Sequence, residues 1–135
     1  MKLKNKFNFI CIFFFLIFFL IGCNIFSDYA VTPDEILHRV NGFISLKYIF
    51  EIFSINLSNF SEFENTPNLY NDWRKTYGVL FDLPMSALEL IFKIDIQNSF
   101  LLRHFFIFVI FFISNIYFFL LLKTNLKDER FALLG

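Results

Sequence analysis

Apolar residues fall into two near-continuous runs close to the ends of the chain, and the stretch between them mixes polar and apolar positions at helical spacing. The first run covers 7–26, about 20 residues without a charge, which at 1.5 Å per residue matches the roughly 30 Å hydrocarbon core of a bilayer. The second covers 105–122 and is extended to 100–122 by Phe100, Leu101 and Leu102 on the far side of the Arg103-His104 pair. Each run predicts a transmembrane helix. The expectation is therefore an all-α membrane protein: a cytoplasmic N-terminus (1–6), a first span (7–26), an external loop (27–99), a second span (100–122) and a tail at 123–135.

Within the loop, Thr32-Pro33-Asp34-Glu35 carries the signals of a helix start, with Thr as N-cap, Pro at the first helical position and Glu three residues after the cap. Ile36, Val40, Phe43, Ile44 and Phe50 then recur at helical spacing and predict a helix over 33–53 whose apolar side lies on the membrane surface or on another helix. Residues 54–76 are rich in Asn, Ser, Glu and Pro and read as a surface excursion with little power to form a core. A second short helix is predicted over 84–94, opened by Pro84. Asn56 and Asn59 each begin an Asn-x-Ser sequon, which chance also supplies in so Asn-rich a loop.

Charge orients these elements. The net charge is zero, with 12 basic and 12 acidic residues, and this gives no basic footprint for a nucleic acid. Lys2, Lys4 and Lys6 precede the first span, and Lys123, Lys127 and Arg130 follow the second. The stretch from Asp28 to Asp95 holds ten acidic residues against five basic ones. Positive flanks stay inside, so both termini are expected in the cytoplasm and the loop outside, in a multi-pass protein of the inner membrane. Ser114 and Asn115 lie mid-span, where an amide facing lipid is costly, so they are expected to face another helix.

Composition limits what single residues can say. With 24 Phe in 135 residues and a mean hydropathy of +0.60, the chain is too apolar for an ordinary soluble domain, and an individual Phe carries little information. Cys11 and Cys23 are the only cysteines. Twelve helical residues set them about 18 Å apart, which excludes a disulfide between them if the helix forms. Leu20-Ile21-Gly22-Cys23 after a basic start also fits a lipoprotein signal ending at an acylated Cys23, a competing reading of the first run.

Asp28-Tyr29, Asp34-Glu35-x-x-His38-Arg39, the run Tyr77-Gly78-Val79-Leu80-Phe81-Asp82-Leu83-Pro84 and Arg103-His104 at the head of a span together resemble the start of a bacterial family of GT-C-type polytopic glycosyltransferases. That family is similar to dolichyl-phosphate-mannose protein mannosyltransferases and lipid A aminoarabinose transferases. The resemblance implies transfer of a sugar from a polyprenyl-phosphate carrier to an acceptor on the external membrane face. It assigns the chemistry to an acidic residue just after the first span. Here that residue is Asp34, with Glu35 beside it, and Asp34 would accept the proton of the attacking hydroxyl. Helix capping explains acidic residues at these positions equally well, Glu35 above all.

His38, four residues after Asp34, could pair with that carboxylate. Arg39 could meet a carrier phosphate or lie at the headgroup level. Arg103 and His104 could steady a phosphate leaving group or anchor the span at the interface. Two candidate ligands do not make a metal site, so no cofactor is predicted and a divalent metal is unsupported. Enzymes of this type enclose carrier and acceptor within many spans, so the expectation is the N-terminal fragment of a larger multi-span bundle, inactive alone, with Phe131–Gly135 as the start of a further span. Its partners would be membrane lipid, the sugar donor and an unidentified acceptor. Outside that resemblance, the chain reads as a small membrane scaffold or subunit without catalysis.

Overall fold

The computed structural model describes residues 2–126 and 129–133, with side chains described for residues 7–126 and 131–133. The flanking Lys2, Lys4, Lys6, Lys127 and Arg130 side chains that orient the sequence reading, and Leu134 and Gly135 of its further span, lie outside the described set. The described residues form four α-helices: α1 (Lys2–Ile25), α2 (Pro33–Ile52), α3 (Asp82–Phe92) and α4 (Ile96–Asn125). Short 3-10 turns join them, and no strand occurs among the described residues. The chain divides into an apolar unit, Met1–Tyr29 with His104–Gly135, and a polar unit, Ala30–Arg103.

In the apolar unit the two long helices face each other through phenylalanine rings. Phe15 meets Phe119 at 5.3 Å, Phe19 meets Phe112 at 5.1 Å, and Phe26 meets Phe105 at 5.5 Å between ring centroids, mostly edge to face or tilted. Gly22 makes room for one of these rings, since a Cβ there would stand 2.0 Å from Phe108. At the other end of the pair Lys123 Nζ donates to Asn8 Oδ1 at 2.8 Å. Two helices, Phe7–Asp28 and Ile96–Asn125, are long and apolar enough to cross a membrane, with mean hydropathies of 2.8 and 2.6. Their outer faces carry Phe9, Ile12, Ile110 and Leu121, each more than half exposed. A soluble protein would bury such a run, and here the exposed surface calls for an apolar surrounding. Ser114 and Asn115 satisfy their polar groups on their own helix: Ser114 Oγ donates to the Ile110 carbonyl at 2.8 Å and Asn115 Nδ2 to the Phe111 carbonyl at 2.7 Å. Asn115 also lines a cleft with Phe14, Phe15 and Phe18 of α1. Cys11 and Cys23, both on α1, form no disulfide among the described residues.

The polar unit is built on α2 packed against α3. Six consecutive residues of α2, Asn41 to Leu46, are buried, so mid-length this helix is enclosed on all sides and not on one stripe alone. Ile36, expected on the apolar side, is half exposed instead. Phe43, Leu46 and Phe63 form the core, with Phe50, Phe60, Leu83 and Leu90 against them. The polar excursion thus contributes more than a surface. Phe60 and Phe63 meet Phe50 edge to face at 5.6 and 5.5 Å between ring centroids, and Lys47 Nζ donates to the Thr66 carbonyl at 2.6 Å, pinning the segment along α2.

α3 starts two residues before the expected Pro84, which sits in its first turn, where a missing N–H costs nothing. α4 starts four residues before the expected span because Asp95 caps it, accepting from the backbone N–H of Gln97 at 3.1 Å and of Asn98 at 3.3 Å. The Asn98 side-chain amide, with those N–H groups, holds the Asp95 carboxyl below its ordinary range.

Gly42 sets the distance between α2 and α3. A Cβ there would lie 2.2 Å from Ser86 Oγ and 2.4 Å from the Asp82 carbonyl oxygen. The serine can rotate but the carbonyl belongs to the α3 backbone. Gly42→Ala is therefore expected to destabilise the polar unit by about 1–3 kcal/mol, despite the higher helix propensity of alanine. The unfolding midpoint followed by emission of Trp73, the only tryptophan, measures it.

Candidate functional site

At the head of α2 the two adjacent carboxylates part company. Glu35 turns back to the cap: its Oε1 accepts from Thr32 N at 3.4 Å and from Thr32 Oγ1 at 3.3 Å. Asp34 is exposed, and among the described residues its side chain makes no hydrogen bond or ion pair.

One turn on, His38 does not reach back to Asp34. Its Nδ1 lies 3.0 Å from Asp82 Oδ2, at the first residue of α3. The imidazole is 50% exposed and the carboxylate 5%, so the ring links a buried charge to the surface. Asn41 Nδ2 donates to the same Asp82 oxygen at 3.3 Å, and Arg103 Nη1 donates to Asp82 Oδ1 at 3.4 Å. Arg103 Nη2 continues to Ser86 Oγ at 3.2 Å, and Ser86 Oγ donates to the Arg39 carbonyl at 3.4 Å. Asp82 is the hub of this cluster, and its place in the first turn of α3 adds the favourable end of the helix dipole.

A second pair lies beside it. Arg39 Nε donates to both oxygens of Glu89, at 2.8 and 3.1 Å, and Nη2 closes the fork on Oε1. The guanidinium also covers the Phe43 ring at 4.9 Å. Two arginines and two carboxylates therefore balance within the unit, three of the four nearly or fully buried and hydrogen-bonded, with Arg103 Nε left without an acceptor. Arg39 is engaged by Glu89. Arg103, only 3% exposed, is engaged by Asp82 and Ser86. His104, its neighbour in sequence, belongs to the apolar unit, where its ring meets Tyr29 edge-on at 5.9 Å. The Arg103-His104 pair is thus divided between units. No group of three or more His, Cys, Asp or Glu among the described residues is placed to hold a metal ion.

Asp34 and His38 open onto a groove of about 180 Å³, completed by Leu37, Asn41, Trp73, Arg74 and Tyr77. Trp73 and Tyr77 meet at 5.4 Å, and Tyr77 meets the His38 ring at 6.3 Å, both nearly perpendicular. Arg74 is held away from other work by Asp72, to which it donates through Nε at 2.7 Å, Nη2 at 2.6 Å and its backbone N–H at 2.8 Å. Those bonds, the side-chain ones foremost, lower the Asp72 carboxyl from 3.8 to about 2.

The sign of that shift fixes a pH dependence. A carboxyl depressed on folding stabilises the fold above its unfolded value, and the gain is lost as pH falls from 3.8 towards 2. For so local a pair it amounts to about 1 kcal/mol at most. In acid titrations followed by Trp73 emission, Asp72→Asn is expected to be less stable than wild type at neutral pH and to converge with it below pH 3.8.

Glu89 is the site residue that sequence reasoning missed, and Asp82 enters that reading only as a loop residue of the 77–84 run. Their spacing with Ser86 (i, i+4, i+7) marks one face of α3, and that polar stripe was the available signal. Comparison of the chain with protein-family models, curated proteins and solved structures returned no match.

Proposed function

We propose that this chain is a membrane-anchored glycosyl-transfer module, moving a sugar from a polyprenyl-phosphate carrier to an acceptor hydroxyl at the external face of the bacterial inner membrane. Asp34 carries the proposal. Its carboxylate is left without a structural task while Glu35 closes the helix cap, and it lies on a groove with His38, Asn41, Trp73 and Tyr77.

In this reading the acceptor oxygen attacks the anomeric carbon, the bond from that carbon to the phosphate oxygen breaks with its electrons leaving on the polyprenyl phosphate, and the hydroxyl proton passes to Asp34. His38 is oriented by Asp82, which in the neutral ring favours a proton on Nδ1 and leaves Nε2 as an acceptor that can steady the same hydroxyl. The guanidinium groups of Arg39 and Arg103 are occupied by Glu89 and by Asp82 with Ser86, so phosphate recognition is not assigned to them. The two apolar helices present phenylalanine, isoleucine and leucine outwards, a surface suited to further membrane helices. The module is accordingly proposed to act within a larger multi-span bundle, with both of its termini cytoplasmic and the polar unit outside.

Transfer from a polyprenyl-phosphate sugar pool to endogenous acceptors, in membranes of the source cell carrying wild type or Asp34→Asn, tests the proposal. Undiminished transfer by the mutant would sink it. A second reading, a scaffold without catalysis, draws on the internally balanced Arg39–Glu89 and Arg103–Asp82 pairs, which rigidify the unit whatever its task. It gains if the mutant transfers as well as wild type.

A further inference from the structure

The geometry points to the groove lined by Asp34, His38, Asn41, Trp73 and Tyr77 as a subsite for a single neutral pyranose ring. Its size, about 180 Å³, is several times the roughly 30 Å³ share of one water and leaves room for a small ring. Its lining pairs two exposed aromatic side chains, which suit the C–H face of a pyranose, with a carboxylate, an amide and an imidazole suited to its rim of hydroxyls.

A second observation comes from Asn41. This side chain is 2% exposed and its Nδ2 is spent on Asp82, while its Oδ1 has no hydrogen-bond partner. A buried amide oxygen lacking a donor is unusual, and it leaves hydrogen-bonding capacity unspent in a residue of the groove wall.

Charge narrows the ligand further. The one guanidinium on the groove, Arg74, is cancelled by Asp72, whereas Asp34 is an exposed carboxylate without a cation beside it. The sum is not positive, so the groove disfavours the phosphate of a carrier and favours an uncharged polyol. That the ring is the acceptor in a transfer reaction rests on the reading of Asp34 as its base; occupancy by a sugar does not.

Trp73 lies on the groove and, as the only tryptophan, reports on it without competition. The full chain in nanodiscs of zwitterionic lipid is titrated with methyl glucoside, methyl galactoside, methyl mannoside and N-acetylglucosamine, and separately with inorganic phosphate. A saturable change in Trp73 emission is expected with at least one sugar and not with phosphate. Tyr77→Ala is expected to weaken it about tenfold, and Tyr77→Phe, which keeps the ring, to leave it within about twofold. If Tyr77→Ala disturbs the fold, Asp34→Asn, an exposed change, is expected to shift affinity several-fold with unfolding unaltered. No saturable response to any of the sugars overturns the subsite, as does a stronger response to phosphate. A response to anionic lipid alone also overturns it and makes Trp73 and Tyr77 interfacial anchors. Sugar binding together with undiminished transfer by Asp34→Asn would remove the transferase reading and leave the subsite standing. Transfer that depends on Asp34 without sugar binding would remove the subsite alone.

Discussion

Asp82→Ala is expected to destabilise the polar unit by about 3–5 kcal/mol, the cost of leaving a buried charge without its partner. The charge is Arg103, 3% exposed, whose guanidinium donates to Asp82 and Ser86 and whose Nε already lacks an acceptor. Removing the carboxylate also strips Asn41 Nδ2 and His38 Nδ1 of their acceptor. Arg103→Met alone is expected to cost less, because Asp82 keeps its hydrogen bonds from Asn41 and from the half-exposed His38. The double variant Asp82→Leu with Arg103→Met is expected to recover most of the loss, since two apolar side chains replace a pair whose desolvation nearly cancels its attraction. Trp73 emission during urea unfolding measures all three. Additive losses in the double variant would mean that the two charges are stabilised by other groups and not by each other.

The same pair shows where sequence reading stops. The helix start at Thr32-Pro33-Asp34-Glu35 was legible because capping is local: each contact spans three residues, and both the cap and its Glu35 partner are visible in a window of four. The two apolar helices were legible because length and lack of charge suffice to identify them. His38 was expected at Asp34, its neighbour at i+4, and is found on Asp82, 44 residues further along the chain. Helical spacing offered Asp34 as a partner, but an exposed carboxylate gains little from an imidazole, whereas a buried one must be paired. Burial decides the choice, and burial depends on how α2 meets α3.

The polar stripe of α3 was hidden by the same inversion. Asp82, Ser86 and Glu89 lie on a short and otherwise apolar helix, and all three are buried because α2 brings Arg39 and Asn41, and α4 brings Arg103, to meet them. Gly42 held a usable clue: a glycine inside a capped helix costs about 1 kcal/mol and asks for a reason, which the close approach of α3 supplies. Phe60 and Phe63 gave none. With 24 phenylalanines in the chain, two more within a polar stretch could not be told from background, although they close the core of the unit.

Asp34→Asn is expected to lower sugar transfer about 10²–10⁴-fold, the range that general-base catalysis supplies. Asparagine keeps the size and a hydrogen-bonding oxygen at this position but cannot take a proton. Because the Asp34 side chain is exposed and makes no hydrogen bond or ion pair, stability is expected to change by less than about 0.5 kcal/mol, so a loss of transfer would not reflect unfolding. The loss should fall mainly on kcat, with acceptor KM moving no more than the several-fold shift in sugar affinity, since the proton moves only as the transition state is reached. Glu35→Gln serves as the opposing control. It weakens a cap contact, costs about 1 kcal/mol or less, and should leave transfer intact per folded molecule. Equal losses in the two variants, tracking a shared fall in stability, would place both carboxylates in the architecture of the helix start and remove Asp34 from the chemistry. A loss confined to Asp34, with the Trp73 unfolding transition unmoved, leaves proton transfer at the groove as the remaining account.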